Sequence, residues 1–126
     1  MNDKIFQNIF DRLQYYLPEA WKKVIYFAGY TEGSYSMKFY IQDEKGEYTD
    51  CFHLQGVSKG QLVKVFMDID KVLSKEREKL DDKHKWLSFT MIVEENGAMK
   101  TDFDYEDCSD DVISYEKSWK EKYLSI

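Results

Sequence analysis

Six carboxylates lie within ten residues, in the segment DFDYEDCSDD at positions 102–111, and no Lys or Arg interrupts them. They are Asp102, Asp104, Glu106, Asp107, Asp110 and Asp111. The whole chain has 24 acids against 18 bases, so these six residues account for its net charge of −6. A concentrated field of this kind steers and holds an oppositely charged partner. The segment therefore predicts a surface that binds a basic molecule.

Closely spaced carboxylates can also bind a divalent cation, and the alternative prediction is a divalent-metal-dependent hydrolase that uses this acidic cluster. The spacing of these carboxylates disfavours a metal site. The glycine that turns a calcium loop and the bidentate glutamate that closes it are both missing from the pattern. Alternate residues of a strand lie about 6.5–7 Å apart, too far for three carboxylates to share one ion without other ligands. We expect no metal ion and no cofactor.

Cys51 and His53 form the one candidate pair for nucleophilic catalysis, because both fall on one face of a strand predicted over residues 47–54. A neighbouring imidazole can activate a thiolate. The sequence contains no glycine-rich phosphate loop and no GxSxG motif to accompany the pair. We expect a packed thiol beside a half-exposed imidazole, no catalytic residues and no enzyme activity.

Length and composition indicate one globular domain over residues 1–126, since 43% of the residues are hydrophobic and 17% are aromatic. No apolar run reaches the 18 residues or more that a membrane span needs. The first ten residues, MNDKIFQNIF, are amphipathic and lack the apolar core of a signal peptide. Two isolated cysteines are typical of a reducing compartment. We predict a cytoplasmic protein with no membrane contact.

Hydrophobic periodicity predicts an α+β fold with the element order α-β-β-β-α-β-β-α. Apolar residues at helical spacing predict a first helix that ends before Pro18. Ser58 and Gln61 fit a capping box that begins the second helix. Ser109 can cap the third helix, with Asp110 and Asp111 in its first turn. We expect a mostly antiparallel five-stranded sheet with helices packed against it.

The last two strands form a hairpin whose register decides where the acidic side chains point. A two-residue turn at Asn96-Gly97 pairs Phe89 with Asp104 and places carboxylates in the core. A three-residue loop over 95–97, with Gly97 in the left-handed region, pairs Phe89 with Phe103 and Leu87 with Tyr105 instead. We predict the three-residue loop. Asp102, Asp104 and Glu106 then project together from one face of the sheet into water.

Each part of the acidic segment also has a purely structural explanation. Asp110 and Asp111 are typical of a helix start, where acids complement the dipole. Asp102, Asp104 and Glu106 are compatible with the solvated side of a strand. Neighbouring carboxylates repel one another, however, and a face selected only for solubility would mix the two signs of charge. The uniform sign favours a binding surface.

Four ordered segments carry a resemblance to a known family: LPEAWKKVIYFAGY at 17–30, WLSFT at 86–90, FDYED at 103–107 and WKEKYL at 119–124. Together they resemble the YezG-like family of bacterial antitoxins, which are immunity proteins for secreted nuclease toxins. Two regions depart from the family pattern. The loop at 31–34 is less glycine-rich, and residues 51–57 follow the family only loosely.

The resemblance implies a single immunity-protein-like domain that neutralises a cognate nuclease toxin, either a DNase or an RNase, by stoichiometric protein–protein inhibition. The family acts by binding and supplies no catalytic residues. Combined with the acidic segment, it predicts a phosphate-mimicking surface that binds a basic toxin domain. A direct nucleic-acid partner is disfavoured by the sign of the charge, and we expect a monomer or a weak dimer. The predicted toxin-binding residues are Asp102, Asp104, Tyr105, Glu106, Asp107, Asp110 and Asp111.

Overall fold

The structure, a computed structural model, describes residues 3–31, 33–106 and 111–124, and its elements follow the predicted order. The three helices are α1 (Asp3–Gln14), α2 (Lys59–Glu78) and α3 (Val112–Tyr123). The five strands are β1 (Lys23–Thr31), β2 (Ser34–Gln42), β3 (Tyr48–Asp50), β4 (Ser88–Glu94) and β5 (Met99–Asp104). No helix within the described ranges is both long and apolar enough to cross a membrane.

The five strands form one antiparallel sheet in the order β3-β2-β1-β4-β5, which confirms the predicted α+β class. β1 is the central strand and pairs with β2 and β4 along most of its length. Five consecutive residues of β1 are buried, because helices cover both faces of the sheet at this strand. β5 lies at one edge, and α3 follows it after the connection at 105–111.

The larger core lies on the face covered by α1 and α2. It receives alternate residues of the strands, such as Tyr26, Phe39 and Phe89, and the apolar sides of both helices. The predicted capping box begins α2. The Ser58 hydroxyl accepts the Gln61 N–H at 3.2 Å, and the Ser58 N–H donates to the Gln61 side chain at 2.8 Å. Local chemistry therefore positions the start of this helix.

The smaller core lies on the opposite face and holds α3. Trp119 is the centre of this cluster and packs against Ile25, Phe27, Tyr40 and Leu124. Its indole N–H also donates to the Thr90 hydroxyl at 2.9 Å. One buried aromatic residue thus joins the helix to three strands, to β1 and β2 by packing and to β4 by a hydrogen bond.

The hairpin between β4 and β5 has the predicted register, with Phe89 opposite Phe103. The Gly97 N–H donates to the Glu94 carbonyl at 2.9 Å, and Gly97 has φ 91°, which glycine adopts without steric cost. The three-residue loop is therefore confirmed. Pairing stops at Ser88 and Asp104, so the predicted extension to Leu87 and Tyr105 was wrong. The Leu87 N–H donates instead to the Asp104 carbonyl at 2.8 Å.

The third strand is shorter than predicted. The Asp50 carboxylate accepts the Phe52 N–H at 2.9 Å and turns the chain into a single 3₁₀ turn over Cys51–His53. The prediction that Cys51 and His53 share a strand face was therefore wrong. Cys51 is fully buried whereas His53 is exposed, and burial raises the pKa of the Cys51 thiol to about 12. The first helix also ends early, at Gln14 rather than next to Pro18.

Candidate functional site

A cleft of about 640 Å³ lies between the end of the β4–β5 hairpin and α3. Four of the predicted binding residues line it: Asp102, Asp104, Glu106 and Asp111. Among the described residues in its lining, Lys122 is the only cation. The acidic residues of the strand and of the following helix thus meet at one cleft, although the helix begins several residues beyond the strand.

The hairpin register places Asp102 and Asp104 on the same face of β5, and α3 covers that face. The Tyr123 hydroxyl donates to Asp102 Oδ2 at 3.0 Å, and the Tyr115 hydroxyl donates to Asp104 Oδ2 at 3.0 Å. Both aspartates are half-buried as a result. The expectation that they project freely into water was therefore wrong. The shared face was predicted correctly, but the hairpin pattern contains no information on where α3 docks.

The hydrogen bonds around Asp104 form a small network. The Tyr115 hydroxyl also lies 2.8 Å from the Ser88 hydroxyl, and the other carboxylate oxygen of Asp104 accepts the Glu106 N–H at 2.9 Å. This last bond bends the chain directly after β5. The network orients the carboxylate of Asp104 and leads the exposed Glu106 to the mouth of the cleft.

The partners of these carboxylates are neutral donors, so the negative charge of the cleft persists. No ion pair between described residues includes Asp102, Asp104 or Glu106. Burial, together with the hydrogen bond to Asp102, raises the pKa of Tyr123, which therefore remains a protonated donor. A partner that supplies Lys or Arg would find three carboxylates without a cationic partner of their own.

Asp111 has a structural role as the N-cap of α3. Its carboxylate accepts the Ser114 N–H at 3.0 Å, and this bond lowers the pKa of Asp111. The prediction that Asp111 lies inside the first helical turn was wrong, because the helix begins one residue later, at Val112. Ser109, predicted as the cap, lies outside the described residues. An ionised Asp111 both starts the helix and adds charge to the cleft.

Of the three remaining predicted binding residues, only Tyr105 lies within the described part of the chain. Tyr105 is exposed, with 55% of its surface accessible, and lies between two lining residues. Asp107 and Asp110 lie outside the described residues. Two exposed apolar residues at the start of α3, Val112 and Ile113, were not among the predicted binding residues. An apolar pair directly after an acidic run is the sequence signal that could have identified them as additional contact area.

The alternative use of the acidic residues is metal binding. Within 3–31, 33–106 and 111–124, no group of three or more His, Cys, Asp or Glu side chains is close enough to hold a metal ion. The geometry is instead suited to an organic cation, since oriented carboxylates lie beside the rings of Tyr115, Trp119 and Tyr123. Guanidinium and ammonium groups bind to carboxylates and to aromatic faces.

Comparison with known families assigns the chain. A family model described as an immunity protein, YezG-like, matches residues 2–126. The chain belongs to the YezG-like immunity protein family. No curated protein matches it significantly. Membership of the YezG-like family identifies the general role as immunity and the general class of partner as a toxin, and it confirms the resemblance found in the four sequence segments.

Proposed function

We propose that this immunity protein binds and neutralises a cognate nuclease toxin in the cytoplasm by stoichiometric protein–protein inhibition, and that it has no catalytic activity of its own. The toxin cleaves either DNA or RNA. The observation that supports a nuclease is the acidic cleft, where Asp102, Asp104 and Glu106 have no cationic partner among the described residues. Nuclease domains bind phosphates through Lys and Arg, and such residues complement this cleft.

The proposed mechanism is occlusion of the basic substrate-binding surface of the toxin. The binding residues are those predicted: Asp102, Asp104, Tyr105, Glu106, Asp107, Asp110 and Asp111. The half-buried aspartates are held in place by Tyr115 and Tyr123, so the protein loses little side-chain entropy when a cation binds. Exposed Tyr105 supplies apolar contact area next to the charges. Long-range attraction speeds the encounter of the two proteins.

The test compares two triple variants for association with the cognate toxin domain, which is first to be sought in the neighbouring open reading frames. The variant Asp102→Asn/Asp104→Asn/Glu106→Gln removes three charges but keeps acceptor oxygens for the two tyrosine hydroxyls. The control Glu19→Gln/Glu44→Gln/Glu47→Gln removes three charges from exposed residues at the opposite end of the sheet. We expect the first variant to associate about tenfold more slowly at low salt and to show a weaker salt dependence. The control should resemble the unmodified protein.

Two outcomes contradict the proposal. The acidic cleft has no role in capture if the first variant associates at an unchanged rate at every ionic strength. The nuclease assignment fails if the purified toxin domain degrades neither DNA nor RNA, or if an equimolar amount of this protein leaves its nuclease activity intact. Measuring the association rate and the nuclease activity on the same toxin preparation distinguishes the two failures.

A further inference from the structure

β5 has a free edge. The sheet order places β5 next to β4 alone, and within the described residues no other strand pairs with it. The opposite edge of the sheet is β3, which has only three residues and ends in a 3₁₀ turn. β5 has six residues and runs along the acidic cleft. An uncovered edge strand presents unpaired main-chain donors and acceptors to another chain.

The hairpin determines which main-chain groups of β5 are free. The Glu94 N–H donates to the Ala98 carbonyl at 2.9 Å, so Glu94 and Ala98 form a hydrogen-bonded pair, and every second pair after them along the two strands does the same. Because the bonds of an antiparallel pair alternate, the main chains of Lys100 and Asp102 face β4, whereas those of Met99, Thr101 and Phe103 point away from the sheet. Three residues therefore offer their N–H and C=O groups at the edge.

The side chains of β5 define what kind of strand fits this edge. Lys100, Asp102 and Asp104 share the face that carries the cleft, and Phe103, which is 38% exposed, lies on the other face. Residues opposite one another on neighbouring strands have Cβ atoms about 5 Å apart. A strand added to β5 thus places alternate side chains beside Asp102 and Asp104, at the cleft.

We propose that an extended segment of the toxin adds to β5 as a sixth strand and carries Lys or Arg at the alternate positions that face Asp102 and Asp104. The proposal rests on the proposed function, since the toxin is the partner. Charge complementarity selects this occupant: the two aspartates lack cationic partners within the described part of the chain, and Lys100 disfavours a basic residue at the hairpin end. Main-chain bonds supply affinity, and the alternate side chains supply specificity.

The test uses a proline at an outward-facing position. Thr101→Pro removes a free N–H but no bond to β4, and proline is tolerated at such edge positions. The control Thr101→Val keeps the N–H and the side-chain shape. We expect Thr101→Pro to weaken binding of the cognate toxin domain at least about tenfold, because a main-chain bond is lost and the added strand is displaced. The affinity of Thr101→Val should stay within about twofold of that of the unmodified protein. Equal affinities for the two variants would overturn the proposal.

Hydrogen exchange on the unmodified complex keeps the test independent of how the proline variant folds. We expect the amides of Met99, Thr101 and Phe103 to exchange at least about tenfold more slowly when the toxin domain is bound. Lys100 and Asp102 should already be protected in the free protein. If the toxin binds and the three outward amides exchange as before, the added strand is wrong and the proposed function stands. If no complex forms, the proposed function itself fails.

A second copy of this chain is the competing occupant of the edge. Light scattering on the free protein tests it. A dimer that dissociates on Thr101→Pro, combined with unchanged affinity of that variant for the toxin domain, would assign the edge to self-association and overturn the proposal.

Discussion

Tyrosine hydroxyls satisfy several half-buried carboxylates of this protein. At the cleft, Tyr123 donates to Asp102 and Tyr115 donates to Asp104, and on the other side of the sheet Tyr30 donates to Asp70 at 2.7 Å. A neutral donor orients a carboxylate and leaves its charge intact, whereas a lysine or arginine would cancel the charge. The choice of donor thus allows the cleft to be ordered and acidic at once.

Tyr26 differs from these tyrosines because its hydroxyl has no hydrogen-bond partner among the described residues, although the side chain is fully buried. A buried polar group without a partner destabilises the folded state. We therefore expect Tyr26→Phe to raise the free energy of unfolding at pH 7 by about 1 kcal/mol, measured by urea titration. The control Tyr30→Phe, which loses the bond to Asp70, should lower that free energy.

The same variant tests the dependence of stability on pH. Burial raises the pKa of Tyr26 well above its usual value of 10.0. The unfolded chain ionises near pH 10 while the folded protein keeps Tyr26 neutral. This contribution to stability is therefore complete below pH 10 and falls above it, by about 1 kcal/mol per pH unit. Between pH 10 and 11, the free energy of unfolding of Tyr26→Phe should fall less steeply than that of the unmodified protein. If the two proteins lose stability at the same rate in this interval, Tyr26 is not the group that titrates on unfolding.

At the scale of elements, α3 determines the shape of the site. It begins at the Asp111 cap, contributes Tyr115 and Tyr123 to the aspartates of β5, and is anchored by Trp119. The amino group of Lys38 lies 4.6 Å from the centre of the Trp119 ring and pairs with Glu116 at 3.4 Å. These contacts place one helix against the sheet so that a cleft remains along its length, lined by α3 residues from Ser114 to Tyr123.

Substitution of Asp111 separates helix capping from charge. Asparagine caps helices about as well as aspartate, whereas alanine provides no acceptor. We expect Asp111→Ala to lower the melting temperature by a few degrees and Asp111→Asn to leave it nearly unchanged. Both variants remove the same charge from the cleft, so both should slow association with the toxin domain to a similar extent. Equal melting temperatures would show that the carboxylate does not hold the helix start.

At the scale of the whole molecule, the two sides of the sheet are unequally packed. The α1/α2 side contains a large apolar cluster, and the α3 side contains a small one around Trp119. Burial of apolar surface is the main favourable term in folding, so the smaller side is held less strongly. The element that completes the acidic cleft is therefore also the least firmly packed helix.

Residue-resolved hydrogen exchange tests this difference in packing. We expect the amides of α3 to exchange through a local opening whose free energy is lower than that of β1 and β4. The amides of β1 should exchange only on global unfolding, because β1 is buried on both faces. If α3 and β1 exchange with the same free energy, the protein opens as one unit and the prediction is wrong.

Much of the fold followed from local pattern. The alternation of apolar residues and the position of Gly97 predicted the hairpin register, and the Ser58–Gln61 pair predicted the start of α2. These features depend on residues close together along the chain, where steric rules and capping chemistry have few solutions. The shared face of Asp102 and Asp104 was predictable for the same reason.

The surroundings of those aspartates were not predictable in the same way. Their half-buried state depends on Tyr115 and Tyr123, and these tyrosines reach them because Trp119 packs against strands distant in the sequence. The turn at Cys51 similarly replaced the second half of a predicted strand through one carboxylate–amide bond of Asp50. Local sequence sets which face a side chain takes, but the docking of a helix is a sum of many long-range contacts. Because α3 docks against β5, the acidic residues expected on an exposed strand face line a cleft instead.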